Sequence, residues 1–305
     1  LSRIPILEPA DPQECYDFIK LGFEISEKFK TPVILRTTTR TNHQRMPVNM
    51  DQEIKPKNKK LGEFIKNPHQ FCTMPPRVLT MKKELLEKTE KIADFAEKSK
   101  INKVIKNSAS QKFGIIASGV PYLHAIEAVE EFGLKAPVLK LGFFYPLPKK
   151  KIVSFIKGLK QILIAEETDP YLEKEIKAIA KEANLKVQIF GKNVLPEIGE
   201  LNPEKVAVAI AKIKNLKFKN YLKTESPVKI PRRTARLCEG CPYWYVFPLI
   251  KRIAPEGTIF GGDIGCNMIA GLSPHNIQDY LFSMGASMGI SHGVSKSTKQ
   301  KVISI

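Results

Sequence analysis

The stretch FGIIASGVPYLHAIEAVEEFGLKAPVLKL, residues 113–141, contains the pattern that decides the fold of this chain. Its first seven residues are apolar or small and predict a buried strand. Tyr122, Ile126 and Val129 then recur at the spacing of one helix face, and the last five residues predict a second strand. A strand, a helix and a strand in this order predict a parallel pair joined by a crossover helix.

The same alternation continues to residue 215. Apolar runs at 161–165 and 186–190 predict two further strands, and helices with a single apolar stripe are predicted to connect and follow the strands. Those stripes are formed by Ile152, Phe155, Ile156 and Leu159, by Leu172, Ile176 and Ile179, and by Val206, Ile210 and Ile213. We therefore predict an α/β protein with doubly wound, mostly parallel sheets that carry helices on both faces.

Segments rich in proline and lysine divide the chain into several predicted domains. Asp11 as N-cap and Pro12 at the first helical position predict a helix near the start. The run 31–40 predicts a buried strand that ends in polar residues, and 82–105 predicts a charged helix. The predicted boundaries are 1–48 for the end of a first domain, 49–110 for a linker with a helix, 111–215 for a middle domain, 216–236 for a second linker and 237–305 for the start of a third domain.

The chain has 305 residues and a formal net charge of +18, and the excess lies mostly in the predicted linkers. Residues 55–112 carry 15 basic and 6 acidic side chains, and residues 216–305 carry 12 and 5. Most of the basic residues are lysines, which favours a solvated surface over a nucleic-acid-binding face with interleaved arginine and aromatic residues. A small acidic electron carrier would also suit a basic surface.

The composition is that of a globular protein, with 43% hydrophobic and 26% charged residues. No window contains the roughly 18 uncharged apolar residues that a membrane span needs, and the chain does not open with a signal-peptide pattern. Five cysteines are a poor disulfide framework, so we expect a cytoplasmic protein without disulfides.

Three cysteines near the end of the chain are candidate metal ligands. Cys238 and Cys241 form a C-x-x-C pair, and Cys266 lies 25 residues further on. A C-x-x-C turn directs two thiolates at one metal or cluster, and a distant cysteine adds a third ligand. The alternative is that these thiols are small buried hydrophobic groups, since free cysteine is commonly buried.

Two turns of small residues are candidate ligand sites. The turn Gly261–Cys266 follows an apolar run, so its backbone amides are predicted to line a ligand site. The turn Met284–Ser287 begins a predicted helix, where free backbone N–H groups can receive a phosphate. Close packing of backbones also favours glycine and alanine, so the pattern leaves both interpretations open.

Polar residues follow two predicted strands. Arg40 ends the run 31–40 and His43 follows it, and both are weak candidates for an active-site edge. Glu166 and Glu167 follow the strand 161–165, where the alternative to a site is a structural pair of hydrogen-bonded carboxylates.

In these features the chain resembles the alpha subunits of indolepyruvate:ferredoxin oxidoreductases, which form a family within the thiamine-diphosphate-dependent 2-oxoacid:ferredoxin oxidoreductases. The similarity follows the same order along nearly the whole chain. It includes residues 8–14, 26–29, 32–43, 119–120, 165–167, 238–242, 262–266 and 284–293. The R-T-T-T-R run, Arg36–Arg40, distinguishes this family from its relatives.

The resemblance implies a thiamine-diphosphate-binding fold with a transketolase C-terminal-like middle domain. It assigns 1–48 to the end of a pyrimidine-binding domain and 237–305 to the first part of a diphosphate-binding domain. It implies thiamine diphosphate with Mg²⁺, and it suggests Cys238, Cys241 and Cys266 as ligands of a [4Fe–4S] cluster with a fourth ligand elsewhere. The cofactor contacts implied are Asp263, Ile264, Gly265, Cys266, Met284, Gly285, Ala286 and Ser287.

The activity implied by the resemblance is oxidative decarboxylation of an arylpyruvate such as indolepyruvate to an aryl-acetyl-CoA. Coenzyme A and the 2-oxoacid are then substrates, ferredoxin accepts the electrons, and a beta subunit is the partner. The activating glutamate of the pyrimidine domain, the Mg²⁺ motif and the cysteine-rich C-terminal domain are not found in residues 1–305. We therefore expect this chain to be an internal fragment without activity of its own.

Two alternatives stay open. One is a 2-oxoacid:ferredoxin oxidoreductase that acts on an aliphatic acid. The other is a non-enzymatic α/β protein in which the cysteines hold a structural metal ion. Assays with a panel of 2-oxoacids distinguish an enzyme for aliphatic acids from one for arylpyruvates. The visible spectrum distinguishes a structural zinc ion from an iron–sulfur cluster, because zinc is colourless and the cluster is brown.

Overall fold

The computed structural model describes four stretches of the chain, residues 2–50, 66–105, 112–218 and 234–305. The remaining parts of the predicted linkers, within 51–65, 106–111 and 219–233, lie outside the described residues. The chain divides into two compact units, Leu1–Lys223 and Thr224–Ile305, which we call unit 1 and unit 2. No helix in the described stretches is long and apolar enough to cross a membrane.

Both units consist of strands and helices in alternation. The strands of unit 1 are β1 (Ile6–Leu7), β2 (Ile34–Leu35), β3 (Lys103–Ile105), β4 (Phe113–Ser118), β5 (Val138–Leu141), β6 (Phe143–Tyr145), β7 (Gln161–Ala165) and β8 (Gln188–Phe190). Its helices are α1 (Pro12–Phe29), α2 (Thr39–His43), α3 (Pro68–Phe71), α4 (Arg77–Lys98), α5 (Val120–Glu131), α6 (Lys149–Ile156), α7 (Tyr171–Glu182) and α8 (Pro203–Lys214). Unit 2 contains α9 (Tyr243–Ile253), β9 (Ile259–Gly262), a 3₁₀ helix (Cys266–Gly271), β10 (Tyr280–Leu281), α10 (Ala286–Ser297) and β11 (Val302–Ser304).

The main sheet of unit 1 has five strands in the order β3-β5-β4-β7-β8. The last four of these are parallel to one another, and β3 pairs antiparallel with β5 at the edge. Helices α5 and α8 pack on the face that contains Phe113 and Ile115, whereas α6 and α7 pack on the face that contains Ile116. The predicted α/β class with a doubly wound sheet is thus confirmed. Every residue of β4 is buried because both faces of the sheet are covered.

The start of the chain forms a smaller sheet in the order β2-β1-β6, in which β6 runs antiparallel to β1. The predicted start of α1 is confirmed, because the side chain of Asp11 accepts a hydrogen bond from the backbone N–H of Glu14 at 2.9 Å. The prediction of one strand over 31–40 was wrong. The strand ends at Leu35, and the hydroxyl of Thr38 accepts a hydrogen bond from Thr41 N–H and begins the short helix α2.

The predicted helix over 82–105 was wrong at both ends, since α4 covers Arg77–Lys98 and residues 103–105 form β3. The buried side chain of Asn102 fixes the turn between them. Its amide donates to the carbonyl of Ala96 at 2.9 Å, and its oxygen accepts the N–H groups of Gly142 and Phe143 at 2.8 and 2.9 Å. Tertiary hydrogen bonds therefore turn this polar stretch into an edge strand.

Gly114 in β4 tests how tightly the main sheet is covered. A Cβ built on Gly114 would lie 2.8 Å from the side chain of Leu159 and 3.3 Å from the carbonyl oxygen of Pro137. We expect Gly114→Val to lower the free energy of unfolding by about 2 kcal/mol, measured by urea denaturation. The control is Gly22→Ala in α1, where a Cβ would make ordinary contact with Val33, so that variant should be as stable as the parent or more so. Equal stability of both variants would contradict the packing described.

Candidate functional site

The sheet of unit 2 has β9 in its centre, in the order β10-β9-β11, and all three strands are parallel. The carboxyl ends of parallel strands meet at one edge of a sheet, where ligands bind in open α/β folds. The turn after β9 begins with Asp263, and the turn after β10 leads into α10. These are the two turns of small residues that the sequence singles out, and they converge at this edge.

A hydrogen bond joins the two turns. The carboxylate of Asp263 accepts the backbone N–H of Ser287 at 2.8 Å, in the first turn of α10. Gly285 occupies the N-cap of that helix with a left-handed φ of 77° and has no side chain to cap it. The cap therefore comes from a neighbouring strand end. The hydroxyl of Ser304, at the end of β11, donates to the buried hydroxyl of Ser287 at 2.7 Å and ties the third strand to the same point.

The helix N-terminus also sets the charge of Asp263. Hydrogen bonds from the backbone N–H and hydroxyl of Ser287, and from the N–H groups of Gly285 and Ala286, lower the pKa of the Asp263 carboxyl below its usual value. The carboxylate therefore remains ionised at neutral pH, and it faces solvent. An ionised, accessible carboxylate of this kind is a ligand that Mg²⁺ accepts together with phosphate oxygens.

The glycines of this edge divide into two kinds. A Cβ on Gly261 would collide with the hydroxyl of Tyr280, and one on Gly262 would collide with the side-chain amide of Gln278. Those strand glycines serve close packing. In contrast, nothing lies within 4 Å of a Cβ built on Gly265 or Gly285. The sequence left packing and ligand binding open. Packing explains Gly261 and Gly262, whereas ligand binding at Gly265 and Gly285 stays a prediction that the open space permits.

Apolar side chains border the open turns. Ile264, Met284 and Met288 are exposed, with 42%, 80% and 70% of their surface accessible. Exposed methionines beside bare backbone offer an adaptable apolar surface. The edge thus combines an ionised carboxylate, a helix N-terminus, open space beside Gly265 and Gly285, and an apolar border, which fits the diphosphate, cation and rings of thiamine diphosphate with Mg²⁺.

The three candidate cysteine ligands do not converge on one point, in contrast to the two turns of small residues. Cys238, Cys241 and Cys266 are free thiols, and Cys241 packs against the buried cluster of Leu237 and Phe247. Within the described ranges, which include all three, no group of three His, Cys, Asp or Glu side chains is arranged to hold a metal ion. The thiols therefore do not fit a shared cluster in this arrangement. We assign no electron-transfer step to them, and their ligation stays a prediction.

In unit 1 the predicted edge residues are held in structural contacts. The guanidinium of Arg40 donates to both carboxylate oxygens of Glu200, at 2.5 and 2.9 Å, and His43 is the exposed last residue of α2. Glu166 accepts two backbone N–H groups at the start of α7, and Glu167 accepts one from Leu201 at 3.0 Å. The carboxylates after β7 thus act as helix and loop caps.

Glu8 is a deeply buried charge of unit 1 that the sequence pattern does not distinguish. The sheet order reverses between β4 and β7, and the space beyond their carboxyl ends is where such folds usually bind a ligand. Here the carboxylate of Glu8 lies against Gly119, the residue directly after β4. Gly119 has a left-handed φ of +58°. One oxygen of Glu8 accepts two hydrogen bonds from the guanidinium of Arg36, at 2.8 and 3.1 Å, and that guanidinium stacks on Phe144 at 3.8 Å.

The Glu8–Arg36 pair therefore lies at the switch point, beside a cavity of about 420 Å³ that Arg36, Glu166 and Glu167 help to line. Glu8 is 2% exposed, and its second oxygen has no hydrogen-bond partner among the residues that the structure describes. Burial raises the pKa of the Glu8 carboxyl, and the charge of Arg36 opposes that rise. The only sequence signal for this pair was the polar residue at position 36 directly after an apolar run.

A family model described as the indolepyruvate oxidoreductase domain matches residues 103–228. The chain is 38% identical to indolepyruvate oxidoreductase subunit IorA of Methanothermobacter marburgensis, in an alignment that covers 100% of the chain and 50% of that subunit. The IorA subunit of Pyrococcus abyssi is 36% identical over 96% of this chain and 47% of its own length.

The chain is a homologue of the IorA subunits. It spans about half the length of the curated relatives it matches. Among solved structures, 2-oxoglutarate:ferredoxin oxidoreductase from Magnetococcus marinus, with 2-oxoglutarate, coenzyme A and succinyl-CoA bound, aligns with a TM-score of 0.45 and 14% identity. That alignment covers 68% of this chain and 42% of the other.

The buried pair of this IorA homologue makes its stability depend on pH. We expect Arg36→Met to lower the free energy of unfolding by about 2 kcal/mol near pH 8, because Glu8 would keep a buried charge without its partner. The pKa of the Glu8 carboxyl is higher in the folded protein than in the unfolded chain, so the ionised form of Glu8 opposes folding. The free energy of unfolding therefore falls as the pH rises from the unfolded-state pKa through the folded-state pKa. The deficit should therefore shrink toward pH 5, measured by urea denaturation at both pH values.

Arg40→Met is the matched control, because its partner Glu200 is exposed and the ion pair is solvated. That variant should change stability little at either pH. The double variant Glu8→Gln with Arg36→Met should regain most of the loss near pH 8. An equal deficit of Arg36→Met at both pH values would disprove the role of the Glu8 charge.

Proposed function

We propose that this chain is part of a thiamine-diphosphate-dependent oxidoreductase that decarboxylates arylpyruvates, indolepyruvate among them, to aryl-acetyl-CoA. Ferredoxin accepts the electrons, and coenzyme A accepts the acyl group. A beta subunit completes the enzyme. The relationship to the IorA subunits supports the substrate class, and the edge of unit 2 supports the cofactor.

The observation that carries the proposal is the contact between Asp263 and the first turn of α10, with Gly265 and Gly285 left bare beside it. A diphosphate needs positive charge around it, which a helix N-terminus and a divalent cation provide. The N-terminus of α10 adds partial positive charge at this edge, although its first N–H groups already bind Asp263, and the carboxylate of Asp263 is a ligand for the cation. The cation is required, since without it the carboxylate and the diphosphate repel each other.

Thiamine diphosphate, when bound, supplies a carbon nucleophile for the keto group and a ring that takes up the electrons released on decarboxylation. The residues of this chain bind and orient. Gly265 and Gly285 admit the diphosphate because neither has a side chain, Asp263 stays anionic, and Ile264 and Met284 provide apolar contact for a ring. The lysine-rich surface of a chain with net charge +18 favours an acidic electron carrier as the partner.

Two alternatives compete with this proposal. Another 2-oxoacid:ferredoxin oxidoreductase would use the same cofactor edge, because that edge recognises the cofactor and not the acid. A non-enzymatic protein with a structural metal would need the cysteines as ligands. The arrangement of the three thiols gives that alternative no support, since they do not form a metal-binding group among the described residues.

Gly285 tests the cofactor edge. In the assembled two-subunit enzyme, Gly285→Val should weaken binding of thiamine diphosphate with Mg²⁺ by about tenfold, because a side chain fills the open turn and strains its left-handed backbone. Gly257→Val is the matched control. Gly257 has nearly the same φ, +76°, and equally open space, but it precedes β9 at the amino end of the sheet.

The measurement is isothermal titration calorimetry with thiamine diphosphate at saturating Mg²⁺. Equal weakening in both variants would assign the effect to backbone strain. Unchanged affinity in Gly285→Val would remove this edge from the cofactor site.

The substrate class is tested separately. The assembled enzyme should reduce a viologen dye with indolepyruvate and phenylpyruvate at values of kcat/KM at least about tenfold above those with pyruvate and 2-oxoglutarate. Omission of coenzyme A should stop turnover beyond the first acyl group. A preference for pyruvate or 2-oxoglutarate would favour the aliphatic alternative, and no turnover with any of the four acids would favour the non-enzymatic one.

A further inference from the structure

Unit 1 contains a cavity that is formed by residues outside the sites described above. It has a volume of about 590 Å³ and lies between the first three turns of α4, the segment 69–73 and the end of α1. Cavities of about 300–1,000 Å³ are typical of small-molecule sites. The size therefore suits a ligand of nucleotide dimensions better than a protein segment.

The lining of this cavity is strongly basic. Its charged and titratable members are Lys30, His69, Arg77, Lys82, Lys88 and Glu84. Glu84, the one carboxylate among the lining residues, is already bound by Arg77 at 2.9 Å, and that hydrogen bond lowers the pKa of Glu84. The cavity is thus left with an excess of positive charge, which favours a polyanionic ligand.

Arg77 is held ready for such a ligand. Its Nε donates to the carbonyl oxygen of His69 at 3.1 Å, and its Nη2 donates to Glu84. Its third nitrogen, Nη1, is buried and has no hydrogen-bond partner among the described residues. A buried guanidinium N–H without an acceptor is unfavourable. Because Nη1 has no exposed surface, a phosphate oxygen reaches it only after the side chains around it move, whereas the charge of Arg77 acts on the cavity without that movement.

Two lysines and a helix terminus reinforce this charge. Lys88 Nζ donates to the carbonyl oxygen of Lys30 at 2.8 Å, which fixes its ammonium at the cavity. The Nζ of Lys30 pairs with Glu27 at 3.0 Å, so Lys30 contributes less. Arg77 is also the first residue of the 22-residue helix α4, whose N-terminus has no side-chain cap and adds partial positive charge.

Apolar side chains also line the cavity. They are Phe71, Val78, Met81 and Leu85, and the uncharged polar members are Gln70 and Thr73. Aromatic, aliphatic and thioether groups together form a surface on which a planar base can pack. We propose that this cavity binds an organic polyphosphate with an aromatic base, a ligand of the adenosine diphosphate class. The phosphates lie against Arg77, Lys82 and Lys88, and the base lies against the apolar side chains.

Adenosine diphosphate chemistry occurs in free adenine nucleotides and in coenzyme A, and titration separates these sources. Isothermal titration calorimetry of the assembled enzyme with ATP, coenzyme A and inorganic triphosphate should give saturable binding of at least one of the first two ligands, and the Lys82→Gln variant should weaken that binding. Coenzyme A binding that Lys82→Gln leaves unchanged belongs to the substrate site of the proposed function and counts against the cavity. Inorganic triphosphate should bind at least about tenfold more weakly than the better of them. The readout is binding, so it is independent of whether indolepyruvate is a substrate.

Two adjacent lysines of α4 provide a matched pair of variants. Lys82→Gln removes a charge from the cavity, whereas Lys83→Gln removes the same charge just outside its lining. We expect Lys82→Gln to weaken nucleotide binding about fivefold or more and Lys83→Gln to change it less than about twofold. Arg77→Gln should weaken it at least tenfold, and Lys82→Gln keeps the test valid if Arg77→Gln does not fold.

Several results would overturn the proposal. The first is the absence of saturable binding by all three ligands at millimolar concentration. The second is equal weakening by Lys82→Gln and Lys83→Gln, which would indicate general charge attraction. The third is equally tight binding of inorganic triphosphate, which would leave no role for the base. The fourth is competition for the cavity by an acidic protein and not by nucleotides, which would assign it to a protein partner.

Discussion

Strand β4 is hydrogen-bonded on both edges and covered on both faces, and the rest of unit 1 is arranged around it. Such a strand has no surface for polar side chains, so its residues are apolar or small along its whole length. At Gly114 there is no room for a side chain, because Phe155 of α6 and Leu159 just after it contact the backbone of β4. The polar residues of the domain are consequently confined to the strand ends, where they cap helices or meet the first sheet.

The same geometric rule acts in both units with different results. Parallel strands bring their carboxyl ends to one edge, and that edge is the usual ligand site. In unit 1, the Glu8–Arg36 pair occupies part of the edge beside a cavity of about 420 Å³, and Glu166 and Glu167 bind backbone N–H groups. In unit 2, the edge is open, lined by glycines and by an ionised carboxylate. The contrast explains why the cofactor proposal rests on unit 2 even though unit 1 has the larger sheet.

Charge is distributed to match these roles. Inside unit 1, two buried charges have an oppositely charged partner, Glu8 with Arg36 and Lys140 with Glu14 beside the ring of Tyr122, whereas the buried Glu166 is bound by backbone N–H groups. A buried ion pair specifies how elements fit together more than it stabilises them, because desolvation offsets much of the attraction. At the surface, lysines outnumber acids, and the cavity beside α4 concentrates this excess around one arginine with an unpaired N–H group.

The sequence by itself determined the α/β class, the strands β4, β5 and β7, their helices and the start of α1, because these depend on local periodicity and capping. It also identified the two turns at the edge of unit 2, because small residues after a strand are visible in any sequence. Only the tertiary structure decided that β3 is a strand, that β2 ends at Leu35 and that Glu8 pairs with Arg36. It also separated the packing glycines from the open ones and left the three cysteines ungathered. Most of those outcomes depend on residues that are distant in the chain, such as Arg36 for Glu8 and Tyr280 for Gly261, and local sequence does not encode such contacts.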